Sequence, residues 1–301
     1  PVAHSFPTRR SSDLGESKNI NIVYGLADAI SEARQIAKQL SRANERDKIL
    51  KETIDKSLEK YSALWCQTPN ERINRIMNNW LKKQVDFCIV GKKGVRDNSQ
   101  IASALLMYRP EIARHEILEI LRHQYQSGNA VLTWLPLDDT RYSDQAFWIV
   151  WAITELIKET GDYPVLDTEV EYQDGGSGTV MEHVKAGIQR LLDDRGKNGL
   201  VKIYYADWND ALNILDDDEA ESVMLTHQFC LAIKEMAEVC KRVGDKEYVQ
   251  FLNEKYEEVR AAINEKAWDG DWYCRVLSDK GNVGGKQSEG SPIYLNPQVW
   301  A

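Results

Sequence analysis

From Ala27 to Trp65 the chain carries neither proline nor glycine and is rich in Ala, Glu, Lys and Leu. The low cost of those residues in a helix predicts one long helix there, and the pattern recurs down the chain. Thr68-Pro69-Asn70-Glu71 has a capping hydroxyl, Pro in the first turn and Glu three residues after Thr68, the marks of a helix start. The helix it opens sets Ile73, Ile76, Met77, Trp80 and Leu81 on one face. Pro110 opens a helix over 110–126 closed by Gly128, Ser143 caps one that runs to Thr160-Gly161, and long helical patterns cover 218–243 and 246–266. Residues 19–25, NINIVYG, alternate as a strand does. DGGSG at 174–178 is a turn, without the strand and Lys-Ser/Thr flank of a phosphate cradle. The predicted class is all-α, with no short fixed-period repeat.

Composition narrows the function classes. A chain of 301 residues, 43% hydrophobic, is long enough for a large core. Its formal charge of −9 gives no sequence-wide field to hold nucleic acid. No apolar run approaches the roughly 18 to 20 residues that span a bilayer, and no signal peptide is visible. The five cysteines are odd in number, widely spaced and without a C-x-x-C pair, which fits a reduced, cytoplasmic compartment. His115, His123, His183 and His227 lack metal-ligand spacing, and no nucleophile elbow, P-loop or dinucleotide fingerprint occurs. No metal or cofactor is expected.

Two segments carry chemistry. In YADWNDALNI, Asp207 and Asp210 bracket Trp208 and Asn209. The plain reading makes Asp207 an N-cap and Asp210 a first-turn acid of a short helix, with Trp208 in the core. The functional reading holds a carboxyl against an indole, where poor solvation favours the neutral form and makes it a proton donor to a glycosidic oxygen. In GVRDNSQ, Arg96-Asp97 sits at the mouth of a helix. It is either a surface ion pair, worth about 0 to 1 kcal/mol, or an arginine for an anion beside a carboxylate for sugar hydroxyls. Most of the nine tryptophans are expected in the core, Trp80, Trp148 and Trp151 among them.

Together, TPNERINRIMNNWLKKQ, GVRDNSQ, HQYQSGNAVLTWLP, RYSDQAFWIVWAITELIKETGDYPVLD, ADWNDALN, WDGDWYCRVLSDKG and IYLNPQVWA resemble the cellobiose and chitobiose phosphorylases of glycoside hydrolase family 94. The resemblance runs almost continuously from about residue 19 to the end. It implies a partial (α/α)6 barrel over 64–301, a linker helix over 27–63 and the end of an N-terminal β domain over 15–26. Residues 5–14, SFPTRRSSDL, resemble a translated sequencing-library adapter, so 1–14 is expected to be an artefact, and the chain is expected to be cut at both ends.

The resemblance also implies inverting phosphorolysis of a β-linked glucose or N-acetylglucosamine disaccharide, with inorganic phosphate as co-substrate and a homodimer at full length. Asp210 would be the general acid, Trp208 a wall of the donor-sugar site, and Asp97, with Asp207, a substrate-binding carboxylate; Arg96 would bind phosphate. One catalytic carboxylate suffices because phosphate is already an anionic nucleophile, whereas a hydrolysing inverter needs a second to activate water. The sequence departs from the family at Val90, where another arginine is usual and Lys92 or Lys93 is the nearest substitute, at Leu132-Thr133, where a histidine-aromatic pair is usual, and at Ile101, where an aspartate is common. The alternatives are an inverting hydrolase on the same barrel and a carbohydrate-binding protein that has lost catalysis.

Overall fold

The stretch expected as one long helix forms two, α1 (Ile30–Leu40) and α2 (Ala43–Ser62), in a computed structural model that describes residues 22, 24–91, 93–212, 214 and 217–301. Ser41 Oγ donates back to Lys38 O at 2.7 Å, the local competition with the helical ladder by which serine ends a helix. Of the strand expected over 19–25, residues 22, 24 and 25 form none; the rest, like 1–14 and 15–18, lies outside the described residues. The chain divides into two compact units, Pro1–Ser62 and Ala63–Ala301.

The second unit holds α3 (Glu71–Arg75), α4 (Leu81–Cys88), α5 (Val95–Leu106), α6 (Pro110–Leu121), α7 (Gln145–Thr160), α8 (Val180–Asp193), α9 (Val223–Val243), α10 (Lys246–Lys266) and α11 (Leu295–Trp300). Among the described residues the structure is mostly helical. Its strands are two or three residues long and form three small antiparallel sheets. In the first, β1 (Lys93–Gly94) pairs with β2 (Thr133–Leu135), which pairs with β3 (Leu137–Asp138). The second is the hairpin of β4 (Glu169–Glu171) and β5 (Ser177–Thr179), whose turn places Gly175 and Gly176 at φ 94 and 74, as DGGSG foretold. The third joins β6 (Glu221–Ser222) to β7 (Val276–Leu277).

Helix α7 is the centre of the core. Eleven of its 16 residues are buried, so it is apolar all round, as a helix enclosed by others must be. It packs against α5, α6, α8 and α9, and α9 pairs with α10 across a link of Gly244, at φ 88, and Asp245, which caps α10 by accepting from Tyr248 N.

Helix starts and faces differ from expectation in instructive ways. The cap of α3 is Asn70, accepting from Arg72 N and Ile73 N, while Thr68 turns to Asn74. Helix α7 begins after Asp144 rather than Ser143, and α6 ends at Leu121, five residues early. Helix α8 was not anticipated, although Thr179 and Glu182 form a capping box legible as T-x-x-E. The face of Ile73, Met77, Trp80 and Leu81 is exposed, and Asn74, Asn78 and Lys82 are buried instead. The reason is the extended segment beside them, whose backbone groups need partners. Asn78 Nδ2 donates to Cys66 O at 2.7 Å and Asn78 Oδ1 accepts from Cys66 N at 2.8 Å. Asn74 does the same for Thr68, and Lys82 Nζ donates to Leu64 O. Of the nine tryptophans only Trp148 is fully buried.

Gly128 is held at φ +84, where a Cβ would meet Ala186 O at 2.0 Å. Gly128→Ala is expected to destabilise the protein by about 2 kcal/mol or more through strain and backbone clash. Denaturant unfolding checks this, and an unchanged midpoint refutes it.

Candidate active site

Helix α5 opens at Gly94, where an added Cβ would lie 3.1 Å from Leu132 O, a contact tight enough to push back the segment that leads into β2. Val95 N then donates to Leu132 O, which fixes the first turn and the direction of Arg96 and Asp97. Arg96 runs inward and is 8% exposed. Its Nη2 donates to Asp210 Oδ1 at 2.8 Å, and its Nη1 donates to Asp144 Oδ2 at 3.3 Å and to the Asp207 carbonyl at 3.2 Å. Its Nε stands 3.8 Å from Asp97 Oδ1. Burial works against the charge of Arg96, but Asp144, Asp210 and Asp97 together hold the guanidinium above its usual value. The Tyr142 ring lies 5.5 Å from Cζ and tilts against Tyr205.

Asp144 has no exposed surface. Trp148 Nε1, one turn on in α7, donates to its Oδ2 at 2.7 Å, and Gln145 Nε2 donates to its Oδ1 at 3.1 Å. Burial pushes this carboxyl up to about 6, against the opposing pull of Arg96 and the indole. The carboxyl pressed against an indole is therefore Asp144 with Trp148. Asp210 is instead 62% exposed in its side chain and turned to Arg96.

The two aspartates of the DWND loop face opposite ways. No helix starts at Asp207, and of the apolar run 211–215, residues 213 and 215 lie outside the described residues. Asp207, expected among the substrate contacts, has its carboxylate turned to protein partners. It is fully buried, with Oδ1 accepting from Arg275 Nη2 at 2.6 Å and from Asn209 N at 3.0 Å. Its Oδ2 accepts from Ser222 Oγ at 2.5 Å. Arg275 also has no exposed surface and donates from Nη1 to Ser222 Oγ at 3.3 Å. The neighbouring Glu221 accepts from Asn198 N at 3.1 Å and Leu200 N at 3.0 Å, so the two residues of β6 secure both ends of the loop that leads to DWND. Within it Tyr204 takes φ 50, strained for a residue with a side chain. Its hydroxyl donates to Asp194 at 2.8 Å, and Arg141 covers its ring at 3.5 Å. Ser143 N and Oγ both donate to Ala206 O, which seats the loop beside the start of α7.

Four residues from distant stretches thus meet: Arg96, Asp97, Asp144 and Asp210. Trp208 lies beside them in sequence and is 43% exposed, outside the core. The sequence pointed to Arg96, Asp97, Trp208 and Asp210. It missed Asp144, which stood in SDQAFW with its indole one helical turn away, and it missed Arg275, whose position gives no local signal. Lys93, near the place of the missing arginine, donates to Glu116 at 3.1 Å and to Ile89 O; Lys92 lies outside the described residues. Val90 is exposed, and Thr133 is buried in β2. Among the described residues no helix is long and apolar enough to cross a membrane, and all five cysteines are free thiols.

Residues 55–301 match the family model of the glycosyl hydrolase 94 superfamily, catalytic domain. The chain is 35% identical over 294 residues to a solabiose phosphorylase of Paenibacillus borealis, covering 95% of this chain and 38% of that protein. A 3-O-beta-D-glucopyranosyl-beta-D-glucuronide phosphorylase of the same organism is 27% identical, over 95% of this chain and 39% of its own length. An N,N'-diacetylchitobiose phosphorylase of Vibrio proteolyticus is 26% identical, over 81% and 36%. The chain therefore spans less than two fifths of the length of these curated relatives.

Proposed function

Because the chain belongs to the glycosyl hydrolase 94 superfamily, we propose that it carries the acid side of the active site of an inverting disaccharide phosphorylase. The observation that supports this best is the pairing of a buried guanidinium with an exposed carboxylate, Arg96 Nη2 to Asp210 Oδ1 at 2.8 Å, with the half-exposed Asp97 carboxylate adjoining. A buried arginine whose Nη2 partner, Asp210, is largely in water suits a tetrahedral anion that takes the place of Asp210. The exposed carboxylate beside it suits a leaving oxygen.

In this reading a phosphate oxygen, oriented by Arg96, attacks the anomeric carbon opposite the glycosidic oxygen. The carbon–oxygen bond breaks, its electron pair goes to that oxygen, and Asp210 supplies the proton that makes the departing sugar neutral. The new bond inverts the anomer and gives an α-sugar 1-phosphate; Asp210 regains its proton from water. Asp97 holds donor hydroxyls and Trp208 stacks on the donor ring. Phosphate serves as nucleophile without a general base, so the positive charge of Arg96 and its orientation are the protein's main contribution to attack. The helices from α3 onward would be part of an (α/α)6 barrel, and α1 and α2 the linker before it. The donor would be glucose or N-acetylglucosamine, and the protein a cytoplasmic homodimer.

The experiment is synthesis by the complete reading frame. With α-glucose 1-phosphate or α-N-acetylglucosamine 1-phosphate and a panel of acceptor sugars, phosphate release is expected to depend on one acceptor. Disaccharide cleavage at equal rates with and without phosphate would refute the phosphorylase and favour a hydrolase; sugar binding without turnover would mark a catalytically lost protein.

A further inference from the structure

One buried cation serves three carboxylates at the heart of this site. Asp210, Asp144 and Asp97 lie 2.8, 3.3 and 3.8 Å from nitrogens of Arg96. Asp207, a further anion near Asp144, has its own counter-ion in Arg275. A dianion arriving at Arg96 meets more negative charge than positive unless a proton arrives with it. We infer that a phosphate-like dianion binds at Arg96 with uptake of a proton, and that Asp144 holds this proton. The inference rests on the phosphorylase reading and deepens it.

Asp144 is the member of the cluster whose ionised form depends wholly on its neighbours. It has no solvent contact. From α5 it faces Arg96, with Asp97 behind; from its own segment, Tyr142, Gln145 and Trp148; from the DWND loop, Asp207 and Asp210. Burial and Asp207 oppose its charge, while Arg96 and the Trp148 indole favour it. An anion on the outer edge of Arg96 cancels part of the field that keeps Asp144 ionised, so burial prevails and the carboxyl takes a proton. Asp210 differs: with most of its side chain in water, it gives up Arg96 and remains solvated. Uptake at Asp144 keeps the net charge of the site nearly level while phosphate displaces Asp210 from Arg96. Asp210 is thereby freed from Arg96 to turn toward the leaving oxygen, taking from water the proton it donates there. Asp144 is on this account a positioning residue, acting through Arg96 without touching substrate.

Sulfate, which stays dianionic across neutral pH, separates this coupling from the titration of phosphate itself. Calorimetric titration of the complete protein with sulfate, in buffers of different ionisation enthalpy, counts the protons. Wild type is expected to take up about 0.5 to 1 proton per sulfate near pH 7.5, with Kd weakening about threefold to tenfold from pH 7 to 8. Asp144→Asn is expected to lose the uptake and to bind sulfate with a Kd that changes less than about twofold over that range. Asp210→Asn retains the uptake. A wild-type affinity flat in pH, no sulfate binding, uptake surviving in Asp144→Asn or uptake lost in Asp210→Asn each overturns the inference. If Asp144→Asn does not fold, the wild-type slope and Asp210→Asn still decide it. Phosphate-dependent turnover is scored separately: cleavage without phosphate but with sulfate-linked uptake sinks only the phosphorylase reading, and the reverse result sinks only the role of Asp144.

Discussion

Asp210→Asn in the complete protein is expected to slow phosphorolysis of the natural disaccharide by about 10²- to 10⁴-fold, the range that a positioned general acid supplies. Stability should change by no more than about 0.5 kcal/mol, because the side chain is 62% exposed. The defect should shrink with the leaving group. A dinitrophenyl glycoside departs as a stable anion and needs little protonation, so the variant should cleave it with phosphate at a rate near that of wild type. Steady-state rates on both substrates make the check. A variant within about threefold of wild type on the disaccharide removes Asp210 from the acid role, and an equal loss on both substrates assigns it to binding instead.

Arg275→Met is expected to have the largest effect on stability. It leaves Asp207 fully buried beside Ser222 without a cation, and breaking a buried pair from one side costs about 3 to 5 kcal/mol. The hydrogen bonds at 2.6 Å to Arg275 and 2.5 Å to Ser222 make Asp207 a charge that cannot relax into water. Removing both charges in Asp207→Asn/Arg275→Met should recover part of the loss, and the cycle of single and double variants isolates the pair. Denaturant midpoints measure it. A single variant as stable as wild type would mean that the loop reaches solvent and that the pair is incidental. Turnover should fall with stability in Arg275→Met, since Trp208 and Asp210 ride on the same loop.

The two predictions separate what local sequence carries from what it does not. Helices α9 and α10 were legible because Gly244-Asp245 combines a stop with a start, and α7 because its apolar run ends at Gly161. Helix α8 was equally legible in its T-x-x-E box and was overlooked. The inverted face at Asn74, Asn78 and Lys82 was not legible: periodicity tells which residues share a face, not whether that face must satisfy an extended backbone. Of the site, the pairs at Arg96-Asp97 and Asp207-Asp210 stood out by residue type. Their division of labour did not, because it depends on Arg275 and Asp144 arriving from elsewhere. A buried aspartate with a distant arginine reads in sequence exactly as a helix cap does until the partner is in place.

The ion pair that fixes the DWND loop spans 68 positions of sequence, and this orders events during synthesis. At about 5 to 20 residues per second, Asp207 leaves the ribosome's active centre roughly 3 to 14 s before Arg275 is added. Throughout that interval the Asp207 carboxylate lacks its own counter-ion and can stay hydrated, free of any desolvation penalty. The nascent protein can therefore complete α5 through α9 before the buried Asp207–Arg275 pair exists. Arg96 can hold Asp210 as soon as the loop emerges, but the buried anchor at Asp207 is completed only when Arg275 docks behind it.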